Sequence, residues 1–464
     1  MLTYSFNPTN SIPLYEALYQ YIKRDIMEGV LHAGEHLPSK RNFAKHLGLS
    51  TITVENAYAQ LISEGFIYSL PKKGYYVADI SGMSKIKPVK NTADIQIPDM
   101  PYKYTTDLSD NRTNPESFPF SIWAKLLRRT ISERQQELMT SSPAGGIYML
   151  RAAIAEHLQS FRGMSVNPDQ IIIGAGTEYL YGMLIQLLGK DKIYCVENPG
   201  YHKIPKIYKS NGVVCNYIDM NEQGLSVQDL NASNADIVHI SPTHHFPTGI
   251  TMPANRRYEL LAWANEKKGR YIIEDDYDSE FRLNGKPIPT LQSMDISDRV
   301  IYINTFSKSL ASTIRISYMV LPVHLANYFY EHMSFYSCTV SNFEQYTLAD
   351  FIKDGYFEKH INRMRIFYAR KREEVLDCIK KSALNKRCTI IEKDSGLHFL
   401  IRLKTDLPDQ TFLEILKEMK IHLASLSEYY RDPKKAPEHT FIINYSNLDP
   451  ECLHTVLKKI ARYM

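Results

Sequence analysis

The stretch NTFSKSLASTIR, residues 304–315, closes an apolar run and carries the most informative lysine of the chain. Thr305 and Ser307 flank Lys308 on its N-terminal side, and Arg315 follows seven residues later. Two hydroxyls and a guanidinium suit a phosphate, and a lysine amine beside them can form a Schiff base with an aldehyde. A lone lysine at a helix start is usually a solvated surface residue, so the interpretation depends on the surrounding chain.

Apolar runs of strand length lie on both sides of this stretch and alternate with helical segments. This rhythm predicts an α/β domain with a buried, largely parallel sheet. From about Glu331 the chain becomes helix-rich with two strand candidates, GLHFLIRL (396–403) and TFIINYS (440–446), which predicts a smaller α+β part. The strand candidates of the larger part are IIIGAG (171–176), KIYCV (192–196), DIVHIS (236–241), RYIIEDD (270–276), VIYINTF (300–306) and ISYMVL (316–321).

One of these runs ends in acidic residues, in the segment RYIIEDDYDSEF (270–281). A carboxylate at the C-terminal end of a strand faces the ligand side of an open α/β sheet, and Asp275 holds such a position. Alone, this segment would be interpreted as a metal-binding acidic cluster or a solvated loop. Because Lys308 follows some thirty residues downstream, we instead predict that Asp275 binds a ring nitrogen and that Tyr277 donates to a phenolic oxygen.

Three further turns follow strand candidates. Gly176 and Thr177 open a helix, where backbone N–H groups suit a phosphate, although the third glycine of the dinucleotide fingerprint GxGxxG is absent. Tyr201, in ENPGYHK, can stack on an aromatic ring, although a tyrosine in such a turn is more often core or surface. The rigid loop SPTHHFPTG brings His245 toward the phenolic side.

Together these residues match the needs of pyridoxal 5'-phosphate (PLP): a lysine, an acid at the pyridine nitrogen, a donor at the phenolic oxygen, an aromatic face and a phosphate cup. We therefore predict PLP as the cofactor, bound as a Schiff base to Lys308. The six cysteines are scattered with no CxxC pair, which argues against a metal site and a disulfide framework. The predicted cofactor-binding residues are Gly176, Thr177, Tyr201, His245, Asp275, Tyr277, Thr305, Ser307, Lys308 and Arg315.

The first eighty residues predict three helices and a two-stranded β wing. Apolar spacing marks a helix from Pro13 to Met27, Ser39 and Ser50 can cap two more, and FIYSLPKKGYYVA alternates around a turn. Such a unit places its third helix in the DNA major groove, with the wing clamping the backbone. The predicted DNA-binding residues are Ser39, Lys40, Arg41, Ser50, Thr51, Thr53, Lys72, Lys73 and Gly74.

Composition limits the remaining classes. A formal net charge of +4 over 464 residues is too balanced for a protein that coats nucleic acid, so DNA contacts must be local. No apolar run is long enough to span a bilayer, and the N-terminus lacks the layout of a signal peptide. These features predict a cytoplasmic protein with no membrane contact. Residues 80–106, with prolines, lysines and no sustained period, are predicted to link the two domains.

The segment GVLHAGEHLPSKRNFAKHLGLS (29–50) resembles the GntR-type winged helix, and the motifs after Asp107 resemble fold-type I aminotransferases. Their combination, with EDDYDSEF and TFSKSL, resembles the MocR subfamily of GntR regulators. The resemblance implies a winged helix over residues 1–79 and a PLP-dependent transferase fold over 107–464. Within that fold we expect a large α/β part over about 140–325 and a smaller α+β part over about 330–464.

MocR regulators are PLP-dependent switches in an aminotransferase-like fold, so the resemblance implies little or no transaminase turnover and no assigned catalytic residue. It also implies a head-to-tail homodimer, in which the winged helix of one subunit lies against the partner's aminotransferase-like domain, bound to paired operator repeats. Glu55 departs from the family pattern, because some relatives carry a basic residue there; it either reads a cytosine amino group or faces away from DNA. His245 departs too, since relatives often have glutamine.

Two departures concern the effector. In GABA-responsive relatives a C-terminal arginine takes the effector's carboxylate; the matching position here is predicted to be Asn447, and a second arginine is replaced by Lys203 beside His202. Arginine is not interchangeable with these residues, although Arg431 could compensate. We therefore expect PLP itself as effector, as in PdxR-type members that control vitamin B6 synthesis. The alternatives are an amino-acid-responsive regulator of the GabR type and a true aminotransferase with an appended DNA-binding domain.

Overall fold

The structure is a computed structural model, and it describes residues 2–6, 12–80, 102–110, 115–283, 288–391 and 396–463. The chain forms two compact units, residues 1–100 and 101–464. Most of the predicted linker, residues 81–101, lies outside the described residues, so the domain boundaries stay predictions. Every helix in the described ranges is too short or too polar to cross a membrane.

The first unit is a three-helix bundle with a small antiparallel sheet. Strand β3 pairs with β1 on one side and with β2 on the other, so the hairpin β2–β3 forms the predicted wing. The elements are α1 (Leu14–Met27), β1 (His36–Leu37), α2 (Lys40–Leu47), α3 (Thr51–Ser63), β2 (Ile67–Leu70) and β3 (Gly74–Val77).

Local chemistry sets the helix ends of this unit. The side chain of Ser39 accepts from the N–H of Asn42 at 3.3 Å and begins α2, which ends at Gly48 in the left-handed region (φ 68°). Ser50 caps α3 by accepting from the N–H of Thr53 at 3.0 Å. Each cap satisfies an N–H donor that has no partner within its helix.

Most of the apolar residues that follow the helical spacing in the first unit are buried. Leu18 and Ile22 of α1 and Val54 of α3 are fully buried in one cluster. Leu14 and Ile62 are apolar too, but they are 50% and 39% exposed near the outer ends of α1 and α3. At a helix end the spacing continues, but no neighbouring element covers the residue.

The second unit alternates strands and helices before it becomes helix-rich. Its strands in the described residues are β4 (Thr106–Asp107), β5 (Ile171–Gly174), β6 (Ile193–Asn198), β7 (Val214–Asn221), β8 (Gly224–Leu225), β9 (Ile237–Ile240), β10 (Tyr271–Asp275), β11 (Val300–Thr305), β12 (Ser317–Val320), β13 (Cys388–Ile391), β14 (His398–Leu403), β15 (Ile421–His422), β16 (Ala424–Ser425) and β17 (Thr440–Asn444). Its helices there are α4 (Phe120–Glu133), α5 (Gln135–Leu138), α6 (Tyr148–Arg162), α7 (Thr177–Leu188), α8 (Lys203–Ser210), α9 (Val227–Ala232), α10 (Ala254–Glu266), α11 (Leu291–Met294), α12 (Phe306–Ser309), α13 (Val323–His332), α14 (Asn342–Lys353), α15 (Tyr356–Lys381), α16 (Asp409–Glu418) and α17 (Pro450–Ile460).

Within the described ranges, eight strands form the large sheet in the order β5-β12-β11-β10-β9-β6-β7-β8. Strands β11, β10, β9, β6 and β7 are mutually parallel, and β12 runs opposite to both β11 and β5. The predicted parallel sheet is therefore confirmed. Because parallel strands share one C-terminal edge, the turns after β5, β6, β9, β10 and β11 meet there.

The smaller part contains an antiparallel sheet, β13-β14-β17-β16, in which Leu400 of β14 and Ala424 of β16 both pair with Ile442 of β17. The two predicted strand segments become β14 and β17, whereas β13 and the short β16 were not predicted. Helices α14, α15 and α17 contribute buried residues to the cluster that joins this part to the large sheet. The predicted α+β character is confirmed.

Candidate functional site

The turns at the shared edge of the large sheet surround a cavity of about 430 Å³. Its size suits a small-molecule ligand. The small part adds residues Glu428–Arg431 to the wall. The structure brings together all the predicted cofactor residues except Gly176 as lining residues: Thr177, Tyr201, His245, Asp275, Tyr277, Thr305, Ser307, Lys308 and Arg315.

Lys308 lies on α12, the single helical turn that follows β11. Thr305 begins this turn, because its Oγ1 accepts from the N–H of Ser307 at 3.1 Å. The hydroxyl of Ser307 donates to the carbonyl of Ile314 at 2.9 Å, which folds the chain back toward Arg315. Burial lowers the pKa of Lys308 to about 8, while Asp278 and Asp110 raise it. The amine is thus partly neutral near physiological pH, as a group that attacks an aldehyde must be.

Asp275 ends β10 and is buried at the cavity wall. Its Oδ2 accepts from the hydroxyl of Tyr181 and lies 3.4 Å from Nε2 of His239, whose Nδ1 is 2.6 Å from the hydroxyl of Tyr208. Its Oδ1 is buried and has no hydrogen-bond partner in the described part of the chain. A buried carboxylate oxygen without a donor fits a protonated pyridine nitrogen.

Tyr181, His239 and Tyr208 were missed in the sequence. Tyr181 lies one helical turn after Thr177 on α7, so it shares the helix face that approaches the sheet edge. His239 is a polar residue in the otherwise apolar strand β9, and that interruption was the available signal. The side chains of Tyr181 and His239 orient the carboxylate of Asp275.

At the phosphate end, Gly176 adopts φ +92°, and an added Cβ would lie 2.4 Å from Nη2 of Arg315. The absence of a side chain at Gly176 therefore makes room for the guanidinium. Its own N–H, predicted to bind phosphate, donates to the carbonyl of Gly174 at 2.9 Å in this structure, and phosphate binding by this amide stays a prediction. Helix α7 begins at Thr177, and the guanidinium of Arg315 lies 3.5 Å from the carboxylate of Glu178. A helix N-terminus beside an arginine fits a phosphate.

The wall that was predicted to face the phenolic side is formed by the loop after β9 and by Tyr277. The hydroxyl of Tyr277 lies 3.3 Å from Nδ1 of His244, which is 2.8 Å from Asp278. Burial lowers the pKa of His245 to about 3, so that imidazole is neutral, and its Nδ1 lies 2.8 Å from the hydroxyl of Thr248. The ring of Tyr201 is partly exposed, as a stacking surface must be.

A buried acid, Glu197, is the other missed member of this wall. Its Oε2 accepts from the N–H of Ser241 at 2.9 Å and lies 3.5 Å from Nε2 of His245, whereas its Oε1 is buried without a partner in the described residues. Burial raises the pKa of Glu197 to about 8. This carboxyl is therefore mostly protonated at neutral pH and adds no full negative charge beside Asp275.

The residue predicted to match the effector-binding arginine is Asn447. It is exposed, lies outside the cavity lining and donates weakly toward Asp110 at 3.5 Å. Ile442 of β17 is also outside the lining and is buried in an apolar cluster against which Phe246 and Tyr429 pack. The match of Asn447 to the effector position stays a prediction.

Two further cations, Lys203 and Arg431, lie in the cavity wall. Lys203 lines the cavity and lies 3.2 Å from Glu178. Arg431 also lines it, with its guanidinium 5.1 Å above the ring of Tyr217. The N–H of Arg431 donates to Asn198 at 2.9 Å, which anchors the loop of the small part onto the end of β6.

In the first unit, the predicted DNA contacts fall into two groups. Arg41, Lys72 and Lys73 are exposed on α2 and on the turn of the wing. Lys40 forms an ion pair with Glu55 of α3, which was not predicted. The hydroxyls of Ser39, Ser50 and Thr53 take part in capping hydrogen bonds, Thr51 is exposed, and Gly74 has φ +106° with His36 directly beside it. DNA contact by these residues stays a prediction.

The chain was then compared with known proteins. Residues 107–460 match the family "Aminotransferase class I and II", and residues 14–77 match "Bacterial regulatory proteins, gntR family". A kynurenine aminotransferase of Pyrococcus horikoshii has the same fold as the larger unit, with a TM-score of 0.67 at 23% identity over 78% of this chain and 91% of that one.

Among curated relatives, the uncharacterized HTH-type transcriptional regulator YdeL of Bacillus subtilis is 36% identical, covering 99% of this chain and 98% of its own. The probable rhizopine catabolism regulatory protein MocR of Rhizobium meliloti is 31% identical, covering 95% and 92%. The HTH-type pyridoxine biosynthesis transcriptional regulator PdxR of Corynebacterium glutamicum is 27% identical, covering 99% and 98%.

Fold and site thus define a class: a GntR-type DNA-binding domain joined to a PLP-binding domain of the aminotransferase class I and II family. Within that class, the chain belongs to the MocR subfamily of GntR regulators, which are PLP-dependent transcription regulators that bind DNA. The resemblance drawn from the sequence is confirmed.

Proposed function

We propose that this protein senses PLP and controls genes of vitamin B6 synthesis, as the PdxR type does. The observation that carries the proposal is the cavity lining, which supplies a candidate residue for each part of PLP. The full-length similarity to a pyridoxine biosynthesis regulator supports the same assignment.

We assign the cavity residues to PLP as follows. Lys308 forms the covalent bond, Asp275 accepts from the pyridine N–H, Arg315 and the start of α7 at Thr177 bind the phosphate, and Tyr201 covers the ring. Tyr277 and His245 complete the phenolic side, and Thr305 and Ser307 hold the turn that carries the lysine. When bound, PLP supplies an electrophilic aldehyde and an electron-withdrawing ring.

The role of the chain is to keep this group set in place without a second substrate. Tyr181 and His239 hold the carboxylate of Asp275 in place, so that Asp275 keeps the ring nitrogen of PLP protonated. Glu197, protonated at neutral pH, limits the negative charge of the wall. The lowered pKa of Lys308 favours capture of PLP near pH 8.

The test measures operator affinity by fluorescence anisotropy with apo protein, with PLP, and with PLP plus a panel of amino acids. We expect micromolar PLP alone to change affinity, and Lys308→Ala to lose the change. Lys190→Ala, an exposed lysine outside the cavity, is the matched control and should respond like the wild type. Equal affinity of apo and PLP-loaded protein would refute the proposal.

A second candidate is an amino-acid-responsive regulator, favoured by Arg431. Its guanidinium lines the cavity and has no acid partner among the described residues, so it can take a carboxylate. In the same anisotropy measurement, this function predicts a response only when an amino acid accompanies PLP, and Arg431→Lys should weaken it because the bidentate geometry is lost. Multiple-turnover transamination with amino acids and keto acids tests the third function, an aminotransferase; robust turnover would favour it.

We further propose that the protein acts as a head-to-tail homodimer in the cytoplasm. All six cysteines are free thiols, as expected for a protein in a reducing compartment. Paired operator repeats need two winged helices at fixed spacing. Sedimentation equilibrium with and without PLP measures the assembly, and a monomer in both conditions would contradict it.

A further inference from the structure

The outward face of α3 forms a continuous stripe on the first unit. Its four members are exposed at positions i, i+3, i+4 and i+7, which lie on one side of a helix. Ile52 is 68% exposed, whereas Val54, Ala57, Tyr58 and Leu61 on the opposite side are buried in the core. We call this surface the α3 stripe, and it consists of Ile52, Glu55, Asn56 and Ala59.

The charge of the α3 stripe is unusual for a DNA-reading helix. The sequence of α3, TITVENAYAQLIS, contains no lysine or arginine. Its one acid within the stripe, Glu55, forms an ion pair with Lys40 of α2. The pair offsets the charge of this carboxylate, and the other members of the stripe are two aliphatic side chains and one amide.

These groups have a defined base preference. Guanine is read chiefly by arginine or lysine, which α3 lacks, and cytosine by a carboxylate, which in this stripe is paired with Lys40. An aliphatic side chain contacts the C5 methyl of thymine, and asparagine forms a bidentate contact with N6 and N7 of adenine. Arg41, Lys72 and Lys73 are exposed cations outside α3, and they suit phosphates, which carry no base information.

We propose that the α3 stripe reads A·T base pairs, with Ile52 against a thymine methyl and Asn56 on an adenine. Ala59, which lies one helical turn after Asn56, adds a second methyl contact. This inference rests on the DNA binding of the family and specifies which bases the winged helix recognises. Exposed isoleucine in the first turn of α3 fits, because the N-terminal residues of a recognition helix contact base edges.

The first experiment selects sites from a random duplex pool with the full-length, PLP-loaded protein. We expect half-sites whose central pairs are A·T and that contain a required thymine. Half-sites with an invariant guanine at the centre would overturn the inference while leaving DNA binding intact. Failure to retain any duplex, even at low salt, would instead overturn the DNA-binding assignment on which the inference rests.

The second experiment tests the methyl contact without any protein variant. Replacing thymine by uracil in a selected duplex removes only the C5 methyl, and loss of one buried methyl contact corresponds to about fourfold weaker binding. We expect one uracil position per half-site to weaken binding by about this factor. If every thymine tolerates the change, Ile52 does not read a methyl, and a role of the exposed stripe in contacting protein is the remaining explanation.

Variants then assign the contacts to residues. Ile52→Ala should bind the thymine and uracil duplexes equally, and Asn56→Ala should lose about tenfold or more of its preference for the selected adenine. Ile62→Ala is the matched control, because this exposed isoleucine lies at the opposite end of α3. It should keep both the uracil effect and the adenine preference of the wild type. A uracil effect that persists in Ile52→Ala would overturn the assignment to Ile52.

Discussion

The lowered pKa of Lys308 determines how its capture of PLP should depend on pH. Only the neutral amine attacks an aldehyde, and burial lowers the pKa of this lysine from 10.5 to about 8. At pH 7 about one molecule in eleven then carries a neutral amine, against about one in 3000 for a solvated lysine. The structure therefore predicts a roughly 300-fold advantage in reactive amine at neutral pH.

Stopped-flow absorbance of lysine-bound PLP between pH 6 and pH 10 measures this advantage. N-acetyl-lysine under the same conditions reports the titration of PLP itself, so the informative quantity is the ratio of the two rates. We expect the protein rate to rise about tenfold per pH unit up to about pH 8 and then to flatten, while the analogue continues upward. A ratio that does not vary with pH would refute the reasoning, and Lys308→Ala should give no signal.

Three further outcomes are expected. Gly176→Ala should weaken PLP binding about tenfold or more in an absorbance titration, because the new Cβ displaces Arg315 and alanine resists φ +92°; unchanged affinity would contradict the assigned phosphate cup. Arg41→Ala should weaken binding to all duplexes and lower the salt slope by about one, measured by anisotropy at several salt concentrations; a loss confined to one sequence would assign Arg41 to base readout. Asp276→Asn should cost about 3–5 kcal/mol in urea unfolding, because it leaves the buried guanidinium of Arg162, 2.5 Å away, without its anion; a loss below about 1 kcal/mol would contradict this.

The sequence could predict the cavity residues because parallel strands share one C-terminal edge. Asp275 ends a strand candidate, and Tyr201 and Lys308 each follow one, so their convergence required only the correct topology. Strand β7, which lies next to the two-residue edge strand β8, was missed, because polar residues in its sequence VCNYIDMN interrupt the continuous apolar run that marked the central strands. Chain-local patterns therefore identify buried parallel strands better than half-covered ones.

The contacts that were missed join residues far apart in the chain. The ion pair of Lys40 with Glu55 depends on how α2 crosses α3, and the hydrogen bonds of Asp275 with Tyr181 and His239 depend on the order of strands in the sheet.

The cavity contains a candidate residue for each part of PLP, and two cations, Lys203 and Arg431, also line it. Contacts of the cavity wall also connect the two parts of the larger unit, because the N–H of Gly200 donates to the carbonyl of Tyr429 at 3.1 Å. A cofactor that fixes the ring of Tyr201 therefore acts on a turn that is bonded to the small part. A ligand shifts a conformational equilibrium only through its different affinity for two states. An effect of PLP on the small part would therefore require contacts of this kind to differ between two states.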